Sequence, residues 1–199
     1  MIKNVVFDIG NVLLRFDPKN YLTKKFNDKD RVEKILELVF RSDEWLMLDR
    51  GTITETEAIK VLSERNTFYS ESIKDTFNGW YDLLTPMEDT IEILKQLKEK
   101  GINTYYLSNF HHLAFEHVIE KNEFFKLFQG GIVSYKEKLL KPEKEIYMRL
   151  LEKYNIKPEE TIFIDDTLDN IQAAASVGIN TIHFKNSQDL IAKLNEVVY

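Results

Sequence analysis

After Pro86, short apolar runs alternate with segments of helical period, and this alternation constrains the fold more than any other feature of the chain. Ile102 to Leu107, Gly131 to Val133, Thr161 to Ile164 and Asn180 to Phe184 read as strands, with β-branched and aromatic residues prominent in most of them. Between them apolar residues recur three and four positions apart. Ile91, Leu94 and Leu97 share one face of a helix from about Glu88 to Lys100, which Gly101 ends. Strands alternating with helices build a parallel sheet, because each parallel crossover needs a long connection and each sheet face needs a cover. Met1 to Phe7, with Ile2, Val5, Val6 and Phe7, is a fifth buried strand that ends at Asp8-Ile9-Gly10. The expected class is α/β.

From about Arg15 to Leu84 the pattern changes. Val32, Ile35, Leu36, Val39 and Phe40 recur at helical spacing, as do Ala58, Ile59, Val61 and Leu62, and no strand interrupts them. Residues 1–14 and 85–199 therefore form the expected core, and 15–84 a helical insertion. It departs only a few residues after Asp8, so it should lie over the end of the first strand. A chain of 199 residues with 43% hydrophobic side chains can bury a core of this kind. Its formal charge of −6 argues against nucleic acid or an anionic membrane as partner. The absence of cysteine excludes disulfides, thiolate metal sites and a cysteine nucleophile, and fits a cytoplasmic protein, monomer or homodimer. No apolar run approaches the roughly 18 residues of a membrane span.

In open α/β sheets ligands bind beyond the carboxyl ends of the strands, where strand order reverses, so strand-ending polar residues carry most information. Four groups qualify. Asp8 ends the first strand next to Gly10, either as a carboxylate able to attack phosphorus or as a turn-capping acid. Ser108 and Asn109 end the second, offering a hydroxyl and an amide for an anion or an ordinary helix cap. Lys141 precedes Pro142 at a helix start, held there by the proline or left as a solvated charge. Asp165 and Asp166 end the fourth strand as adjacent acids, which repel unless a cation or proton lies between them; hard oxygen donors suit Mg²⁺. Together a carboxylate, a hydroxyl with an amide, a lysine and an acidic pair are what phosphoryl transfer through an aspartyl-phosphate requires.

In the order FDIGNVL, LSN, LKP and IDD these motifs resemble the haloacid dehalogenase superfamily over essentially the whole chain. The resemblance implies a Rossmann-like parallel sheet core with an inserted α-helical cap domain, and a Mg²⁺-dependent phosphatase acting on a small phosphorylated metabolite. Within the superfamily the FD-x-GNV segment and Arg50-Gly51-Thr52-Ile53 are similar to small sugar-phosphate phosphatases of the α-D-glucose-1-phosphate type. By this resemblance Asp8 is the nucleophile. Ser108, Asn109 and Lys141 hold the phosphate, and Lys141 offsets its developing charge. The Asp8 carboxylate, the Gly10 carbonyl and Asp166 hold Mg²⁺, with Asp165 supporting it directly or through water. Asp169 helps orient the metal site or Lys141, or is an exposed helix acid.

One departure matters. Most phosphatases of the superfamily carry a second Asp two residues after the nucleophile, which protonates the leaving oxygen and then deprotonates water; here that residue is Gly10. Such acid–base help is worth about 10²–10⁴ in rate, roughly 3 to 5 kcal/mol. Asp17 and His111 are the two substitutes the sequence offers. The loss also leaves open a module that binds Mg²⁺ and a phosphate ligand without turnover. In the insertion, Arg41, Trp45, Arg50 and Trp80 are the side chains suited to contact a substrate, although burial in a small helical core is the stronger reading of the tryptophans, and no insertion residue is assigned to the site. His117, His183 and the Phe124, Phe125, Phe128 group are expected to be structural.

Overall fold

A computed structural model of the chain describes residues 1–197. The first strand, β1 (Asn4–Phe7), leads through a turn to the two-residue β2 (Leu14–Arg15). The helices α1 (Pro18–Phe26), α2 (Lys29–Ile35), a π-turn over Leu36–Phe40, α3 (Asp43–Arg50), α4 (Glu55–Arg65) and α5 (Ser70–Phe77) follow, and β3 (Thr85–Pro86) ends the excursion. The remainder alternates as read from the sequence: α6 (Glu88–Glu99), β4 (Asn103–Ser108), α7 (His112–Lys121), β5 (Gly130–Val133), α8 (Ser134–Glu137), α9 (Lys144–Tyr154), β6 (Thr161–Asp165), α10 (Leu168–Ser176), β7 (Asn180–His183) and α11 (Ser187–Val197).

The five longer strands form one parallel sheet in the order β5-β4-β1-β6-β7. Phe7 of β1 lies between Tyr106 of β4 and Ile164 of β6. The chain moves outward from β1 through β4 to β5, then crosses back to β6 on the other side. Strand order therefore reverses at β1, and the crevice at its carboxyl end receives Asp8. Alternation along the strands splits the apolar side chains between the two faces: Val5, Phe7, Ile162 and Ile164 enter one cluster, Val6 and Phe163 the other.

The helical excursion is attached at a narrow neck, where β2 and β3 pair antiparallel with Leu14 opposite Pro86. This ribbon was not foreseen, because two residues carry no periodic signal. The turn before it explains the Gly10-Asn11 step. Asn11 takes a left-handed φ of 55°, which asparagine tolerates better than most residues, and its Oδ1 accepts from Phe16 N at 2.9 Å. Local caps set the helix starts: Asp17 caps α1, Ser42 caps α3, and Thr54 with Glu57 forms a capping box on α4. The insertion does not bury a core of its own. One apolar cluster runs from Leu22, Ile35, Leu62 and Ile73 of the helices through Leu13 and Leu14 to Phe7 and Ile164 of the sheet.

Candidate active site

The tips of β1, β4 and β6 and the loop before α9 bring together four side chains that lie up to 157 residues apart in sequence. Asp8 Oδ1 accepts from its neighbour Ile9 N at 2.7 Å and from Ser108 Oγ at 2.7 Å, and Lys141 Nζ lies 2.7 Å from the same oxygen. Lys141 Nζ also donates to Asp165 Oδ2 at 2.6 Å. All four side chains are buried. Burial pushes the Asp8 carboxyl well above the usual carboxylate range, the Lys141 ammonium pulls it back, and the Asp165 charge raises it again. Burial alone would lower the Lys141 ammonium, but Asp8 and Asp165 on either side hold it above its ordinary value and therefore charged.

Lys141 is positioned differently from the expectation that Pro142 fixes it at a helix start. Helix α9 begins only at Lys144. The Asn109 side chain instead clamps the Lys141 backbone, accepting from Lys141 N at 2.8 Å and donating to Lys141 O at 3.0 Å. Ser108 and Asn109 likewise lie before α7 rather than capping it; its cap position is His111, whose side chain makes no capping bond.

The acidic pair divides into two environments. Asp165 is fully buried and engaged by protein donors: Lys141, Thr167 N at 2.8 Å and Asn170 Nδ2 at 3.0 and 3.1 Å. Asp166 is half-buried, and its carboxylate accepts a long bond, 3.4 Å, from Thr167 Oγ1 and is also approached by the Asn11 side chain. His183 Nε2 lies 2.9 Å from the Asp166 carbonyl and steadies the loop, a structural role. Asp8, Asp165 and Asp166 place one oxygen each within 4.8 Å of one another. Three carboxylates here face one ammonium, and burial and Asp165 raise the Asp166 carboxyl. An excess of hard, negatively charged oxygen with free lone pairs suits a Mg²⁺ ion.

Other sequence candidates fall outside this cluster. Asp169 is exposed in the first turn of α10, and the residue of that turn which reaches the site is Asn170, one position on. Asp17 is exposed and occupied as the α1 cap. Arg41 pairs with Glu37 at the surface. Arg50 turns to the core, where it forks onto Glu143 and donates to Lys138 O at 3.1 Å. Gly51, with φ 69°, lies so close to the core that a Cβ there would stand 2.6 Å from Tyr135 O. The Arg50-Gly51 step is thus a docking point of the insertion, not a substrate contact.

A cavity of about 90 Å³ opens beside Gly10 and Asn109, walled by Phe16, Trp45, Trp80, Leu84 and Phe110, with Asp49 and His111 as its ionisable groups. Trp45 and Trp80 are buried as expected for core residues and also present ring surface to this cavity. Asp49 was not singled out in the sequence. As one acid near the end of an amphipathic helix it has no local mark, and only docking of α3 on the core brings it to this wall.

Known proteins are similar to this chain in sequence and in fold. The chain is 28% identical over 196 residues to a sesquiterpene phosphatase of Aspergillus oryzae, covering 98% of this chain and 96% of that protein. It is 22% identical over 179 residues to a phosphorylated carbohydrates phosphatase of Thermotoga maritima, covering 90% and 83%. Two further relatives are longer, and the chain spans 37% and 19% of them. A haloacid dehalogenase family enzyme of Bacteroides thetaiotaomicron, solved with magnesium and inorganic phosphate, has a similar structure, with a TM-score of 0.74 at 28% identity over 93% of this chain and 95% of its own. The family model for haloacid dehalogenase-like hydrolases matches residues 2–178. With its parallel sheet, its strand-tip aspartates and that match, the chain belongs to the haloacid dehalogenase-like hydrolases.

Proposed function

We propose that the protein is a Mg²⁺-dependent phosphatase that hydrolyses a small phosphorylated metabolite, a sugar phosphate in the first instance, through an acyl phosphate formed on Asp8. The observation that carries this reading is the Asp8–Lys141–Asp165 triad with Ser108 on the same Asp8 oxygen. An ammonium so placed neutralises the nucleophile's surroundings and stays beside the phosphoryl oxygens as charge builds on them. Asp165 and Asn109 position it. The Ser108 hydroxyl and the amide of Asn109 bind the equatorial oxygens.

Asp8, the Gly10 carbonyl and Asp166 would hold Mg²⁺, and Asp165, already engaged by Lys141 and Asn170, would support it. When bound, the ion supplies positive charge between nucleophile and phosphate. Residues 15–84 act as the cap, and their rings close the cavity over the phosphate and keep bulk water away. A cavity of about 90 Å³ suits a compact substrate.

The test is release of phosphate from a panel of phosphorylated metabolites with Mg²⁺ or with a chelator, on wild type and Asp8→Asn. Metal-dependent turnover by wild type and none by Asp8→Asn is expected. Turnover surviving in Asp8→Asn overturns the mechanism. Binding of inorganic phosphate without turnover of any ester would favour the non-catalytic module suggested by Gly10.

A further inference from the structure

The proton transfers of such a reaction need a carboxyl that Gly10 does not provide, and the cavity contains one. We infer that Asp49 is the general acid and base of this site, with His111 as its positioning residue. The inference rests on the phosphatase reading above and deepens it.

Three observations carry it. First, placement: Asp49 comes from α3 of the insertion, yet it lines the same cavity as Gly10 and Asn109, and its carboxyl feels the charges of Lys141 and Asp8. It therefore borders the space next to two residues that adjoin the nucleophile and the phosphate-binding hydroxyl, Gly10 and Asn109.

Second, the way it is fixed. The carbonyl of Asp49 accepts from Ser134 Oγ, whose oxygen in turn accepts from Phe110 N at 2.9 Å. The next two residues are latched as well: Arg50 to Glu143 and Lys138 O, and the Gly51 carbonyl to Lys138 Nζ. Three consecutive residues of the insertion are thus tied to the segments that follow β4 and β5, which carry Asn109 and Lys141. A proton donor must be held closely relative to the nucleophile, and these ties anchor the segment that carries Asp49 to the core.

Third, the unspent polar groups. Among the described residues the one polar side chain beside the Asp49 carboxyl is His111, with Nε2 at 3.4 Å from Oδ1. His111 is 2% exposed, and neither ring nitrogen makes a hydrogen bond of good geometry. It lies against Trp45 and Trp80, with ring centroids 4.2 and 5.2 Å away. A buried imidazole whose nitrogens make no good hydrogen bond costs stability, and it borders the cavity together with the half-buried Asp49. Burial pushes the Asp49 carboxyl up to about 8, Lys141 opposing and Asp8 reinforcing, and the same burial drives the His111 imidazolium down to about 3, the Trp45 main chain opposing slightly. Near neutral pH the proton therefore rests on Asp49, as a general acid requires.

The steps balance. Asp8 attacks phosphorus, the bond to the leaving oxygen breaks, and that oxygen keeps the electron pair and takes the proton of the Asp49 carboxyl. In the second half the Asp49 carboxylate removes a proton from water. The water oxygen bonds to phosphorus, the bond to Asp8 breaks, and free Asp8, phosphate and protonated Asp49 are restored.

The experiment compares phenyl phosphate with p-nitrophenyl phosphate, two esters of similar shape. Phenol, with a pKa near tyrosine's of about 10, needs a proton to leave, whereas the more acidic p-nitrophenol departs as the anion. For Asp49→Asn, kcat/KM on phenyl phosphate should fall about 10²–10⁴-fold and on p-nitrophenyl phosphate less than about tenfold. On the latter, kcat should drop further, with a burst of p-nitrophenolate and accumulation of phosphorylated protein, because the base is missing. Asp49→Asn/Gly10→Asp should recover phenyl phosphate hydrolysis selectively, since a Cβ at Gly10 meets nothing within 4 Å. His111→Gln should move the phenyl ester in the same direction by a smaller factor, and it serves if Asp49→Asn does not fold. Equal losses on both esters, or no loss on either, overturn the assignment of Asp49 while leaving the phosphatase reading standing. Hydrolysis of either ester that survives Asp8→Asn, or none of either by wild type, overturns both.

Discussion

Asn109 and Lys141 hold each other twice, amide to backbone and backbone to amide, across 32 residues of chain. This pairing sets the height at which the Lys141 ammonium enters between Asp8 and Asp165. Asn109→Ala removes both bonds and should lower kcat at least tenfold with a smaller effect on KM, as measured on any ester the wild type hydrolyses. The fold should lose about 1 to 3 kcal/mol in urea unfolding, the usual cost of such a loss.

Lys141→Met leaves Asp8 and Asp165 buried without their cation. Breaking a buried ion pair from one side costs about 3–5 kcal/mol, and here two carboxylates lose the same partner. The burial-raised carboxyl of Asp8 then rises further, so it takes up a proton as pH falls. The deficit against wild type should therefore be largest at alkaline pH, shrink as pH falls through the variant's raised Asp8 pKa, and level off below about 7, where Asp8 is protonated in both proteins, in urea midpoints taken at each pH.

Mg²⁺ binding to the strand-tip cluster should raise the melting temperature of the wild type. At a free concentration one hundred times the dissociation constant the gain is about 2.7 kcal/mol. Asp166→Asn should abolish the shift and Asp169→Asn should preserve it, because Asp169 is exposed in α10 away from the three carboxylates.

Much of this was written in the chain in a local alphabet. The five core strands follow from apolar runs such as Asn4–Phe7 and Thr161–Asp165; Asp8, Ser108 and the acidic pair follow from standing at strand ends, and Lys141 follows from its place in the loop beyond β5. What stayed hidden depends on tertiary approach. The one-residue choice between Asp169 and Asn170 is decided by which side of the first turn of α10 faces Asp165. The clamp on Lys141 comes from a different strand tip, and nothing in the residues around Pro142 announces it. Asp49 acquires its meaning only when Arg50 and Gly51 dock.

Asp49 and His111 should set opposite pH slopes when separated. Asp49 has a raised folded pKa, so its contribution is present below about 3.8 and is lost as pH rises towards about 8. His111 has a depressed one, so its contribution is present above about 6.5 and is lost as pH falls towards about 3. Between about pH 4 and 6.5 the two cancel in the wild type: the folded pair holds one proton on Asp49, the unfolded pair one on His111. Relative to wild type, Asp49→Asn should gain stability with rising pH in that window, and His111→Gln should lose it. Each slope is up to about 1.4 kcal/mol per pH unit, read from urea unfolding at pH 4.5, 5.5 and 6.5.

Trp45 and Trp80 belong at once to the cavity wall and to the apolar cluster shared by insertion and sheet. Trp80 is further anchored by its indole N–H on Glu55 Oε1, the oxygen that also accepts from Tyr81. Carving a roomier chamber by Trp80→Ala would remove a keystone, at about 3–5 kcal/mol. Descendants of this chain that drift towards bulkier molecules must first accumulate spare robustness elsewhere, so selectivity and folding evolve here under a single shared constraint.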